Sequence, residues 1–190
     1  MMGSVADKTR CEWVSDDPLY CEYHDAEWGV PVHDDRRLFE MLMLEGQQAG
    51  LSWITVLKRR EHYQKAFFAF DAKKIVNISQ TEFDVLMQNP GLIRHARKLA
   101  AIIQNAKAYL AMLDKGEDFG GWLWSFVGGQ PVVNEWPEAS AVPVMTAQSK
   151  AMSSALKKRG FAFVGPTICY AFMQAVGMVW DHSGECFLAR

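Results

Sequence analysis

Three features of the sequence predict an all-α fold. Apolar residues recur at helical spacing along most of the chain, alternating β-type runs are few, and glycine or proline stands where the helical runs stop. With 190 residues, half of them apolar and seven of them tryptophan, the chain suits a single compact domain, 1–190, with a substantial core.

In chain order, "CEWVSDDPLYCEYHDAEWGVP" is polar and weakly periodic, with Pro18, Gly29 and Pro31. It is expected to be largely ordered loop carrying the aromatics Trp13, Tyr20, Tyr23 and Trp28. In "DDRRLFEMLMLEGQQ", Asp34 or Asp35 suits an N-cap, and Leu38, Met41, Leu42 and Leu44 keep helical spacing. Gly46 and Gly50 should then weaken the helix, with Ser52 capping a fresh one through Trp53, Val56 and Leu57. "TEFDVLMQNPG" predicts a short helix stopped by Pro90 and Gly91, and "HARKLAAIIQNAKAYLAMLDKG" a long amphipathic one ending at Gly116. From Gly128 to Val144 prolines and paired glycines predict a long loop. Two further helices follow, one ending at Gly160 and one starting at Pro166 and leaving at Gly177, joined by "FAFVGP". Over about 149–177 this pattern suits a helix-hairpin-helix, or equally two core helices with a tight turn.

The net charge of −2 argues neither for nor against nucleic acid, because a near-neutral total can hide a basic face. No apolar run approaches the roughly 20 residues that span a bilayer, and "MMGSVADKTR" lacks the apolar core of a signal peptide. A cytoplasmic protein without a membrane segment is expected, in which Cys11, Cys21, Cys169 and Cys186 are poor evidence for disulfides. No nucleotide-binding glycine loop, Ser-His-Asp order or His-Glu-x-x-His helix is found.

Three constellations carry candidate chemistry. Cys11 and His24 near one end, with His182 and Cys186 near the other, make a donor set suited to a structural tetrahedral ion, although lone cysteines are more often core residues. Glu45 sits behind a long apolar run, where a carboxylate needs a partner or a proton. With Trp53 and the N-terminal aromatics it could close a flat slot for an extruded nucleobase, stacking on the faces and hydrogen bonding at the edge. Finally, the amides of Gly165, Thr167 and Ile168 open a helix N-terminus suited to a phosphate. Basic clusters at Lys157–Arg159, Lys58–Arg60 and Arg94, Arg97 and Lys98 add to the odds of a DNA backbone site.

Together "CEWVSDDPLYCEYHDAEWGVP", "LFEMLMLEGQQAGLSWITVLKRRE", "GLIRHARKLAAIIQNAKAYL", "WSFV", "SKAMSSALKKRGFAFVGPTICYAFMQAVG" and "DHSGEC" resemble the 3-methyladenine DNA glycosylase I family along nearly the whole chain. The resemblance implies a helix-hairpin-helix glycosylase fold whose ends are joined by one structural Zn2+ on Cys11, His24, His182 and Cys186. It implies hydrolysis of the N-glycosidic bond of N3-methyladenine in alkylated double-stranded DNA, by a monomer, with free 3-methyladenine as product and no lyase step. Glu45 becomes the active-site carboxylate, choosing the base more than driving the chemistry, with Tyr23 and Trp53 as stacking walls and Trp13 and Tyr20 at the rim. Gln48 and Leu51 are candidates to fill the gap left by the flipped nucleotide, at a helix broken by the two glycines. Gly165, Thr167, Ile168 and Lys158 are expected on the DNA backbone. Asp181 is expected to orient His182 rather than to act on the sugar. Cys21 and Cys169 are left to the core.

Overall fold

The computed structural model describes residues 8–190; the leading "MMGSVAD", weighed above as a signal peptide, lies outside the described residues. Ten α-helices follow one another among the described residues: α1 (Pro18–Ala26), α2 (Asp35–Gln48), α3 (Trp53–Leu57), α4 (Arg60–Ala66), α5 (Ala72–Ile75), α6 (Gln80–Gln88), α7 (Ala96–Leu113), α8 (Phe119–Ser125), α9 (Ala147–Lys158) and α10 (Pro166–Ala175). The expected all-α class holds, with one small addition. Val132–Val133 (β1) pairs in parallel with Val179–Trp180 (β2), and an isolated bridge joins Trp136 to Ser183. Two residues a side carry too little alternation to be read from sequence.

The N-terminal aromatic stretch is the first correction, since much of it is helical. Asp17 caps α1 by accepting from the Leu19 amide, and Pro18 occupies the first turn, where its missing N–H costs nothing. The segment looked aperiodic because aromatic rings, rather than an aliphatic stripe, form its buried side.

Helix α2 is the centre of the molecule. Asp34 caps it at the Arg37 amide, and the ten residues Leu38–Gln47 are all buried, as expected of a helix packed on every side. It touches α3, α7, α8 and α10. Gly46 does not break it. A Cβ at Gly46 would stand 3.3 Å from the Phe163 carbonyl oxygen and 3.4 Å from its Cβ, so glycine here lets the α9–α10 hairpin press onto α2. The helix runs on to Gln48 and the chain turns at Gly50, whose φ of +78° suits glycine alone. The last carbonyls of α2 are then met by a buried cation: Lys98 Nζ donates to Gln47 O at 2.8 Å and to Ala49 O at 2.6 Å.

The α9–α10 hairpin is pinned from both sides. Asn105 on α7 accepts from the Ala162 amide and donates to the Ala162 carbonyl, while Ser153 Oγ donates to Val164 O. Beyond α10, Gly177 lies against the backbone of Gly29, Val30 and Pro31, where a Cβ would come within 2.6 Å of all three. Tight apposition there returns the C-terminal segment to the N-terminal one.

Candidate active site

A cavity of about 630 Å³ opens where these elements converge. Helix α1 contributes Tyr20 and Tyr23, α2 contributes Glu45 and Gln48, and Trp53 stands at the start of α3. Thr167, Tyr170, Ala171 and Gln174 line the opposite side, at the helical spacing that puts them on one face of α10. Ala139, Val142, Pro143 and Val144 from the long loop complete the rim.

The aromatic side is a contiguous cluster. Tyr23 and Trp53 rings are 5.5 Å apart between centroids, Trp13 and Tyr20 5.1 Å, and Trp13 and Trp28 5.0 Å. Burial, then the nearby Glu45 charge, raises the pKa of both Tyr20 and Tyr23, so each keeps its phenolic proton as a donor.

Glu45 is 4% exposed, and its carboxyl has no hydrogen-bond partner among the described residues. Burial alone pushes its pKa up to about 8. In the empty pocket at neutral pH the group is therefore mostly protonated, and ionising it takes an incoming cation or donor. Glu12, Glu45 and Asp181 line the cavity, with no lysine, arginine or histidine among the described residues that line it. Neither Tyr23 nor Trp53 bonds to Glu45, so they do not satisfy it as a core carboxyl; the Trp53 indole N–H is itself buried without an acceptor.

Directly behind the aromatics lie four buried donors. One ligand atom each from Cys11, His24, His182 and Cys186 falls within 4.8 Å of the others, so the group could hold a metal ion. His182 Nδ1 is 3.2 Å from His24 Nε2, Cys186 Sγ is 3.4 Å from His24 Nε2, and both sulfurs are 3.6 Å from His182 Nδ1. Tetrahedral bonds of ordinary metal–nitrogen and metal–sulfur length give roughly 3.3 and 3.5 Å for these separations, so the residues fit an ion without rearrangement. His182 and Cys186 lie in a tight loop, one of the two placements the spacing allowed. Burial lowers the pKa of both histidines, His182 to about 4, keeping them in the neutral form that ligates.

The outer partner of the cluster differs from expectation. Asp25, half-buried, accepts from His24 Nδ1 at 2.8 Å while Arg10 clamps its two oxygens at 2.8 and 2.7 Å. Asp181 does not bond to His182. Its oxygens are taken by Asn134, Trp136, Tyr170 and Gln174. Asp25 follows His24 directly in sequence, and that adjacency was the signal available; Asp181 stands beside His182 in the same way, but its side chain turns into the pocket.

The sequence profile described as methyladenine glycosylase matches residues 13–189. The chain belongs to the methyladenine glycosylase family. Among curated relatives, DNA-3-methyladenine glycosylase of Haemophilus influenzae is 57% identical over 178 residues, covering 94% of this chain and 96% of its own. DNA-3-methyladenine glycosylase 1 of Escherichia coli K12 is 56% identical over 177 residues, covering 93% and 95%. A crystal structure of 3-methyladenine DNA glycosylase I superposes with a TM-score of 0.94 at 55% identity, covering 96% of this chain and all of that one. Another, 36% identical with a TM-score of 0.88 and covering 93% and 95%, is of a variant in complex with 3-methyladenine.

Within this family member, Glu45, Tyr23, Trp53, Trp13, Tyr20 and Gln48 all line one cavity. Thr167 joins them from the far side, while Gly165 and Ile168 are half-buried at the same helix start. Gly165 caps α10 without a side-chain acceptor, leaving the first amides open. Leu51 stands just outside, 37% exposed, its carbonyl accepting from Gln48 Nε2 in a closed turn. Lys157 and Lys158 are exposed, as are Arg94 and Arg97. Other members of the basic clusters are engaged within the protein. Lys98 caps α2, Arg60 binds Glu27, Lys58 pairs with Asp17 at 2.6 Å and Arg159 with Glu117 at 3.0 Å. Cys21 and Cys169 are buried donors to the carbonyls of Ser15 and Val164. Sequence reasoning missed Tyr170 and Gln174, although the spacing from Thr167 on α10 could have found them.

Proposed function

We propose that the protein hydrolyses the N-glycosidic bond of N3-methyladenine in alkylated double-stranded DNA, drawing the damaged nucleotide out of the helix and leaving an abasic site. The observation that carries this reading is an aromatic-walled cavity holding a buried carboxyl without a partner, accompanied by two further acids and, among the described residues, by no cation. Stacking surfaces and a negative field suit a flat cationic base.

In the working complex Tyr23 and Trp53 hold the faces of the base, with Trp13 and Tyr20 at the rim. Glu45, ionised by the arriving cation, accepts N–H donors from its edge. As the C1′–N9 bond breaks, the bonding pair leaves with the base, whose positive charge disappears. Water adds to C1′ and gives up its proton to solvent. Glu45 therefore stabilises the bound substrate more than the transition state, and its part is selection more than acceleration. Leu51 and Gln48, at the turn after α2, fill the vacated stack, and the open amides of Gly165, Thr167 and Ile168 with Lys158 hold the backbone. No lysine lines the cavity to form a Schiff base, in keeping with a monofunctional hydrolase.

The ion suited to two thiolates and two imidazoles is Zn2+, held by Cys11, His24, His182 and Cys186. Four protein ligands leave no open position, so its contribution is structural. The protein works as a monomer in the cytoplasm; no described helix is long and apolar enough to cross a membrane.

The decisive experiment incubates purified protein with methylated duplex DNA and separates the freed purines by chromatography. Release of 3-methyladenine, with 7-methylguanine retained, is expected. Folded, metal-loaded protein that frees no base would overturn the reading and leave a DNA-binding module.

A further inference from the structure

Asp181 is 2% exposed, yet its carboxylate lines the cavity. Oδ1 accepts from Asn134 Nδ2 at 2.7 Å and Trp136 Nε1 at 2.8 Å; Oδ2 accepts from Tyr170 OH at 2.5 Å and Gln174 Nε2 at 2.9 Å. A carboxylate offers about four lone-pair sites, so this one is saturated. It has no capacity left to activate water, and its partners among the described residues are neutral donors.

The saturation has a second effect on the donors. Tyr170 spends its only proton on Asp181, which leaves the phenolic oxygen with lone pairs alone. Gln174 spends an amide hydrogen there, and its Oε1 has no partner among the described residues. Both residues line the cavity from α10, across from the aromatic cluster. The wall thereby presents the lone pairs of Tyr170 and of Gln174 Oε1 to the cavity, beside the Asp181 carboxylate.

We propose that Asp181 is a specificity-determining positioning residue: by taking the only proton of Tyr170 and one amide hydrogen of Gln174 it leaves the α10 wall rich in acceptors beside a saturated carboxylate, so the pocket prefers a cationic purine to its neutral counterpart. This rests on the base-pocket reading above and adds a residue to it. Glu45 reads the edge of the base, whereas Asp181 sets the charge of the space the base enters. Unmodified adenine carries a lone pair at N3, which such a wall repels; methylation there removes the lone pair and supplies the positive charge. A cavity of this volume is about 10 Å across. At that distance, with an effective dielectric near 20, a unit charge alters a cation's affinity roughly tenfold.

The test compares two probes on the intact, metal-loaded protein by calorimetry: 3,9-dimethyladeninium, which is permanently cationic, and neutral 3-methyladenine. The wild type should prefer the cation. Asp181→Asn should lower that preference about tenfold while binding of the neutral probe stays within threefold. Y170F and Q174M should each lower it in part, and neither should lower it further when combined with D181N. Metal content and melting temperature, measured alongside, identify any variant that has lost its fold. If D181N does not fold, Y170F and Q174M decide: an unchanged preference in both overturns the proposal. Equal weakening of both probes in folded D181N also overturns it, leaving Asp181 a structural tie. A wild type that binds neither probe would instead overturn the base-pocket reading itself.

Discussion

Replacing Glu45 by glutamine should make the ligand-free protein more stable at neutral pH. Glu45 is buried without a partner, and its pKa stands near 8 in the folded chain against an ordinary 4.5. The folded state therefore keeps a proton that the unfolded chain has lost between those values, and wild-type stability falls as pH rises through that window. Each unit is worth 1.36 kcal/mol, so the accumulated loss is about 3 kcal/mol at pH 7 and on the order of 5 kcal/mol above pH 8, where it levels off. Glutamine fills the same space and does not titrate. Urea denaturation of wild type and Glu45→Gln, followed by circular dichroism from pH 4.5 to 8.5, should show a difference that grows with pH by about 1.4 kcal/mol per unit. Other titrating groups, the metal ligands included, cancel in the difference. A difference constant within about 0.5 kcal/mol across that range would refute the reasoning. The same proton should be released on binding: at pH 7 a cationic purine should displace about 0.9 proton from the wild type, read by calorimetry in buffers of unlike ionisation heat, and none from the variant.

Stripping the metal with a chelator should lower the melting temperature by at least about 10 °C, since a structural ion contributes several kcal/mol and each moves a chain of this size by about 2–4 °C; an unchanged melting curve would show the cluster to be inert. Leu51→Ala should alter stability by less than about 0.5 kcal/mol, because the side chain is already 37% exposed. Base release from duplex DNA should nevertheless fall about tenfold in that variant while free 3-methyladenine binds as before. Lys98→Met should cost about 2–3 kcal/mol in denaturant titrations by leaving the carbonyls of Gln47 and of the C-cap residue Ala49 unmet. If Lys98 served DNA instead, stability would hold and the salt dependence of DNA binding would change.

The long helices were legible in the sequence because an aliphatic stripe with a cap at one end and glycine or proline at the other admits few readings: Asp34, Pro166 and Gly177 stand where expected. Helix α1 was lost because its apolar side is made of tyrosines, although Asp17–Pro18 was a capping signature in plain view. Gly46 misled for a physical reason. Low helix propensity is a local property, whereas its use here is a contact with Phe163, more than a hundred positions away, that no local window contains. Lys98 is the member of the basic clusters whose place was not legible, since a lysine that caps a buried helix and one that faces solvent are written with the same letter. The pocket aromatics, Glu45 and the four metal donors were identified through the family resemblance; spacing alone left each with an ordinary alternative. Asp181 shows the limit of adjacency as a guide, because neighbours in a loop point in opposite directions.

The Phe187 amide donates to the Thr9 carbonyl at 2.9 Å, and Cys11 meets His182 across 171 positions of chain. Contacts of such sequence separation form late, after loop-closure entropy has been overcome, whereas α7 can gather its neighbours early. Trp13, Tyr20 and Tyr23 reach the pocket from one end of the chain and Asp181 from the other. The helical core can therefore be complete while the grip on a base is not. Opening the two ends is a route to a partly unfolded state that keeps its helices and loses its ligand, so hydrogen exchange should find the pocket among the first regions to open and the last to close.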